Sequence, residues 1–200
     1  MHLKNCEVRY DFVYEMVTNF ILDENIELPV MNIKELCKKL GIKVLSDMEL
    51  KYKYNIEYCR MVNSDDGAVI LLTDKDEHVI VYNSKVTAKR RITFTIGHEL
   101  VHILLGHFDY SLVSYETKEK EAEYGSMILL MHPLLLFRNA PTTFKQVQLQ
   151  CQVTSQAAEA GFNNYINFCK YHNFNEYDLQ LLSMIDEQIN SHNPVKSGFL

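Results

Sequence analysis

Residues 91–108 read RITFTIGHELVHILLGHF, and inside that stretch His98, Glu99 and His102 spell H-E-x-x-H. Side chains four positions apart on a helix stack on one face, so the two histidines present imidazole nitrogens to a single point where a zinc ion could sit. Glu99 places a carboxylate beside that point, where it could take a proton from a bound water. Ile96, Leu100, Val101, Ile103, Leu104 and Leu105 supply enough apolar surface to seat the helix in a core, and Gly106 supplies a stop. Buried polar groups left unpaired cost about 1 to 3 kcal/mol each, and a metal is the simplest partner for two histidines and a glutamate facing inward.

Working outward, 200 residues at 47% hydrophobic content suit one domain, or one with a small appendage. A formal charge of -6 argues against direct nucleic-acid binding, which needs an excess of Lys and Arg. The compact basic run, Lys89, Arg90 and Arg91, reads as a solvated approach to the metal helix. Five widely spaced cysteines without a C-x-x-C pattern read as reduced thiols. With no apolar stretch of signal-peptide or membrane-spanning length, the expected setting is a reducing cytoplasm, away from membranes.

Before the motif, apolar residues from Val8 to Ile21 recur at helical spacing, so 7–22 reads as an amphipathic helix. Asn32 with Glu35 resembles a capping box for a second helix ended by Gly41, and Ile42 to Leu45 suggests a short strand. Residues 46–67 suggest no element. Two apolar, β-branched runs around the polar TDKDE make a hairpin over 68–83, whose edge at Val81, Tyr82 and Asn83 could pair with an extended substrate. The active-site helix is expected over 93–106 and a further helix over 116–131, ended by Pro133. Helices over 144–150, 154–171 and 176–189 follow, then a loose tail over 191–200. LQCQVTSQAAEAGFNNY has the outline of a helix-turn-helix, without the basic face DNA binding needs. The fold class is α+β, mostly helical, with a small sheet or hairpin beside the H-E-x-x-H helix. A core over 1–140 carries a helical C-terminal subdomain over 141–190.

A catalytic zinc wants a third protein ligand, and spacing leaves three candidates. His107 lies beyond Gly106 and suits an interaction with the helix carboxyl end. Glu121 is a second possibility. Glu119 is favoured because Glu123, one turn further on the same face, could hydrogen-bond a metal-bound histidine.

RITFTIGHELVHILLGH followed by EKEAEYGSMILLMHP resembles the ImmA/IrrE family of metallopeptidases, whose pattern runs R-x-x-F-T-x-x-H-E-x-x-H-x-L-L-G-H, then E-x-x-A-[N/D], then a hydrophobic stretch ending L-L-M-P. Arg91, Phe94, Thr95, His98, Glu99, His102, Gly106, His107, Glu119, Ala122, Leu129, Leu130 and Met131 fall on its positions. Glu123 stands where an amide or aspartate is usual, Gly125 and Ser126 where Phe-Ala is common, and His132 precedes Pro133. The resemblance implies a zincin-like, gluzincin-type domain holding one Zn2+ ion on His98, His102 and Glu119, with Glu99 as the catalytic carboxylate. It also implies a regulatory protease of a phage, mobile element or stress regulon, acting on a helix-turn-helix repressor. Candidate donors for the developing oxyanion are His107, Tyr82 and Tyr124. Two other readings compete: a zinc-stabilised anti-repressor that sequesters a regulator without cutting it, and a zinc hydrolase of non-peptide substrates.

Overall fold

The chain is first ordered by helix α1 (Tyr10–Asp23), whose buried stripe of Val13, Tyr14, Val17, Thr18 and Ile21 follows the helical period. A computed structural model describes residues 7–57, 67–72, 77–108 and 113–192. The helix starts three residues later than its apolar pattern suggests. Phe12 is exposed, with the Arg9 guanidinium carbon 4.6 Å from its ring centre. Helix α2 (Ile33–Lys39) is capped as expected, the Asn32 side chain accepting from the Glu35 N–H at 3.2 Å.

Strand β1 (Lys43–Ser46) leads directly into α3 (Asp47–Tyr54), a helix that periodicity does not reveal because Leu50 alone among its residues is buried. Local chemistry makes it instead. The Ser46 N–H donates to the Glu49 carboxylate at 2.8 Å and the Glu49 N–H donates back to the Ser46 hydroxyl at 3.2 Å. Strands β2 (Gly67–Leu72) and β3 (Glu77–Tyr82) form the expected hairpin, whose connection lies outside the described residues.

The three strands are ordered β1-β3-β2, with β1 parallel and β2 antiparallel to β3. Val81 registers with Leu45 on one side and Ala68 on the other, and Tyr82 with Ser46 and Gly67. This corrects the expected substrate edge. The main chain at Val81 and Tyr82 already serves a ladder on each side, and the Asn83 side chain accepts from the Lys85 N–H in the turn beyond the strand. The edge strands of the sheet are β1 and β2.

Helix α4 (Lys89–Leu104) carries the motif and starts earlier than expected, with Lys89 to Arg91 solvated in its first turn. Helix α5 (Tyr115–Leu130) runs antiparallel to it: Gly97 lies against Leu130, Val101 against Gly125, and His102 against Glu119. A Cβ at Gly125 would come within 2.6 Å of Val101 and 3.1 Å of Val13, so glycine there lets α1, α4 and α5 meet. Pro133 follows the end of α5 as expected and also opens the first turn of α6 (Pro133–Asn139), where its missing N–H costs nothing.

Helices α7 (Phe144–Cys151), α8 (Ser155–Tyr171) and α9 (Glu176–His192) complete the chain. One cluster of buried apolar side chains runs from Val13 and Val17 through Leu100, Leu129 and Leu134 to Leu181 and Ile185. A second, formed by Leu45, Leu50, Val79 and Val81, joins the sheet to α3. Among the described residues Cys37, Cys151 and Cys169 are free thiols, and no helix is long and apolar enough to cross a membrane. Cys6, Cys59 and residues 193–200 of the expected tail lie outside the described residues. The architecture is a mostly helical α+β domain with one small mixed sheet.

Candidate metal centre

His98 and His102 are one turn apart on α4, and Glu119 reaches them from α5; their ligand atoms all lie within 4.8 Å of one another. The two Nε2 atoms are 3.0 Å apart, Glu119 Oε2 is 3.3 Å from His98 Nε2, and Glu119 Oε1 is 3.5 Å from His102 Nε2. Ligands about 2.05 Å from a tetrahedral zinc are separated by about 3.3 Å, so these three edges have the dimensions of a zinc cage. A proton on one imidazole could serve one of the contacts, whereas a cation satisfies all three together.

His102 is held from behind. Its Nδ1 lies 2.9 Å from His107 Nδ1, and His107 Nε2 lies 3.2 Å from Glu121 Oε2. Glu121 is fully buried and accepts from the Arg9 side chain at 2.9 and 2.8 Å and from the Arg9 main-chain N–H at 3.1 Å. These contacts fix the tautomers by elimination. A carboxylate only accepts, so His107 donates from Nε2 and presents a lone pair at Nδ1. His102 then donates from Nδ1, which leaves the lone pair of its Nε2 facing His98 and Glu119.

The charges agree with that chain. Burial and the neighbouring His98 push the His102 pKa down to about 3, keeping the ring neutral and able to ligate. Burial also lowers His107. Glu119 sits below the ordinary carboxylate range, chiefly through its hydrogen bond to His98. Burial pushes Glu121 up, but Arg9 outweighs it and the carboxyl is held below its ordinary value.

Glu99 is half-buried on α4 beside the start of β2. A Cβ at Gly67 would lie 2.3 Å from Thr95 Cγ2 and 3.3 Å from Glu99 Oε1. A side chain at position 67 would collide with Thr95, so glycine lets the start of β2 pass close to Thr95 and Glu99 on α4.

The chain matches the sequence profile of the peptidase family described as the IrrE N-terminal-like domain (Peptidase M78) over residues 37–154, more than half its length. The chain belongs to this family. No curated protein matches it. As a member of a metallopeptidase family it is expected to hold a metal, and the His98, His102 and Glu119 cluster fits one. The matched segment excludes α1, so Arg9, which closes the hydrogen-bond chain behind His102, comes from outside the family domain.

The remaining candidates are scattered. Glu123 is exposed and, with Tyr124, lines a cavity on the α8 side of α5. It is His107, not Glu123, that meets a candidate ligand. Tyr124 packs edge-on against Tyr10 at 5.0 Å, and burial pushes its hydroxyl up to about 12. The Tyr82 hydroxyl accepts from Lys34 Nζ at 2.9 Å, with the same ammonium 4.1 Å from its ring centre. Arg9 and Gly67 carried no signal of their own, although a glycine opening an apolar strand is a mark of close backbone approach.

Proposed function

We propose that this protein is a zinc-dependent endopeptidase that cuts a helix-turn-helix transcriptional repressor. The observation that carries the reading is the convergence of three ligand atoms at zinc-cage spacing, with Glu99 next to His98 on the same helix and close to the start of β2. His98, His102 and Glu119 would hold the ion, with His107, Glu121 and Arg9 keeping His102 in its ligating tautomer. Zinc bound there would lower the pKa of a water from about 15.7 toward 7.

The protein's own groups then have separate tasks. The β2 edge offers main-chain donors and acceptors to an extended substrate, aligning one peptide bond beside Glu99. Glu99 accepts the water proton at a carboxylate oxygen and delivers it to the leaving amine nitrogen. The start of β2 at Gly67 passes close to that carboxylate, which suits the role.

The test uses zinc-loaded protein and the repressor encoded nearest its own gene. Wild type should cut the repressor, while Glu99→Gln should keep one zinc per chain and cut nothing. Cleavage by Glu99→Gln at the wild-type rate would remove the mechanism. Tight binding without cleavage by wild type would favour sequestration.

A further inference from the structure

A cavity of about 940 Å³ opens between α4, α5 and α8. Thr95 lines it on α4, and the same residue lies against Gly67 of β2, so the cavity begins about one helical turn, roughly 6 Å, from Glu99. Its floor includes the apolar Phe94 and Met127. The opposite wall is a single stripe of α8: Gln156, Ala160, Asn163, Asn164 and Asn167 recur at intervals that share one helical face.

That stripe does not serve packing. The buried face of α8 is made by Ala158, Gly161, Tyr165 and Phe168, which leaves the carboxamides to the cavity. No side-chain hydrogen bond to another described residue is made by Gln156, Asn163, Asn164 or Asn167. Each carboxamide both donates and accepts, which matches the N–H and C=O of a peptide group. Asn163 and Asn167 are separated by about 6 Å along the helix, close to the roughly 6.7 Å between alternate residues of an extended chain.

Lining charge points the same way. Arg91 and Lys120 stand there with Glu123, and Lys120 is already paired with Glu116 at 2.6 Å. A nucleic-acid strand would need a basic wall.

From this geometry we propose that the α8 carboxamide stripe is the polypeptide-binding wall of the substrate groove. It holds an extended segment of the protein substrate next to the cut site, with an apolar side chain seated over Phe94 and Met127. This rests on the peptidase reading. Family residues 37–154 supply the α4 and α5 walls, whereas α8 lies beyond them, so substrate choice resides in a helix outside the matched domain.

The test probes binding and cleavage separately, using fluorescein-labelled β-casein as a polypeptide without a fixed fold. Asn163 and Asn167 are exposed, so Asn163→Ala/Asn167→Ala should leave the fold and zinc content intact, as checked by circular dichroism and metal analysis. In zinc-loaded Glu99→Gln protein, adding the double substitution should weaken casein binding at least about tenfold by fluorescence anisotropy. In the active protein it should raise KM by a similar factor with kcat within about twofold. Equal affinity with and without the α8 substitutions, or no casein binding by Glu99→Gln protein, would overturn the groove. If α8-dependent binding persists but wild type cuts nothing, the groove stands and the peptidase reading falls.

Discussion

Among the described residues two histidine–carboxylate clusters stand out, and only one of the two asks for a cation. In the first, His98, His102 and Glu119 aim their ligand atoms at one another across 3.0 to 3.5 Å. In the second, Asp178 in the first turn of α9 is fully buried against α1 and is saturated by the protein. It accepts from the Tyr14 hydroxyl at 2.7 Å, His172 Nε2 at 2.7 Å and the Asn175 N–H at 2.8 Å. Nearby, buried His132 accepts at Nδ1 from the Leu134 N–H, so its Nε2 donates to Thr18, whose hydroxyl donates in turn to the Tyr14 carbonyl. What separates a metal centre from a polar core is therefore the direction of the lone pairs and not the residue types. Donors surround the carboxylate in one cluster, while in the other the lone pair of His102 Nε2 faces the Glu119 carboxylate, acceptor to acceptor.

The sharpest way to break that contrast is to remove a carboxylate from each. Glu119→Ala should weaken zinc binding at least about 100-fold, since it deletes one of three ligands. Asp178→Ala should leave zinc stoichiometry unchanged and cost about 3 kcal/mol of stability, because Tyr14, His172 and the Asn175 N–H lose their shared acceptor. Metal titration and denaturant unfolding on both variants check the pair. Zinc loss in Asp178→Ala at wild-type stability would collapse the distinction.

The same contrast explains which parts of the site were legible in the sequence. H-E-x-x-H is readable because both histidines sit on one helix and local spacing fixes their geometry. Glu119 follows from spacing only with the family pattern beside it. The pair of Arg9 and Glu121 spans 112 residues, and no periodicity connects them. Fold elements divide likewise: apolar recurrence exposed α1 and the apolar residues around H-E-x-x-H exposed α4, whereas α3 is held by a capping box over one buried leucine. The edge strand was misplaced because a hairpin's alternation does not say which of its strands will acquire β1 as a second neighbour.

A smaller effect separates the ligands from the residues behind them. Glu121→Gln keeps the shape but removes the charge facing Arg9 and lets an amide N–H oppose His107, which loosens the tautomer of His102. Zinc affinity should fall about 10-fold to 100-fold. Arg9→Ala should do less, because the Arg9 side chain is 43% exposed and its main-chain N–H would still reach Glu121. Equal zinc affinity in wild type and Glu121→Gln would show that His102 needs no support from behind.

The smallest effect belongs to the saturated cluster and appears with pH. Burial pushes the His132 pKa down to about 3, against an ordinary value near 6.5, so the unfolded chain takes up a proton that the folded protein refuses. Its contribution to stability is therefore fully present above about pH 6.5 and is lost as the pH falls toward 3. Asn at this position could still accept from the Leu134 N–H at the start of α6 without titrating. His132→Asn should thus lower stability by a constant amount but lose about 1 to 2 kcal/mol less than wild type between pH 7 and pH 5, measured by urea unfolding at fixed ionic strength. Parallel pH profiles for the two proteins would mean that the folded core admits the proton, and that the second cluster is less closed than its hydrogen bonds imply.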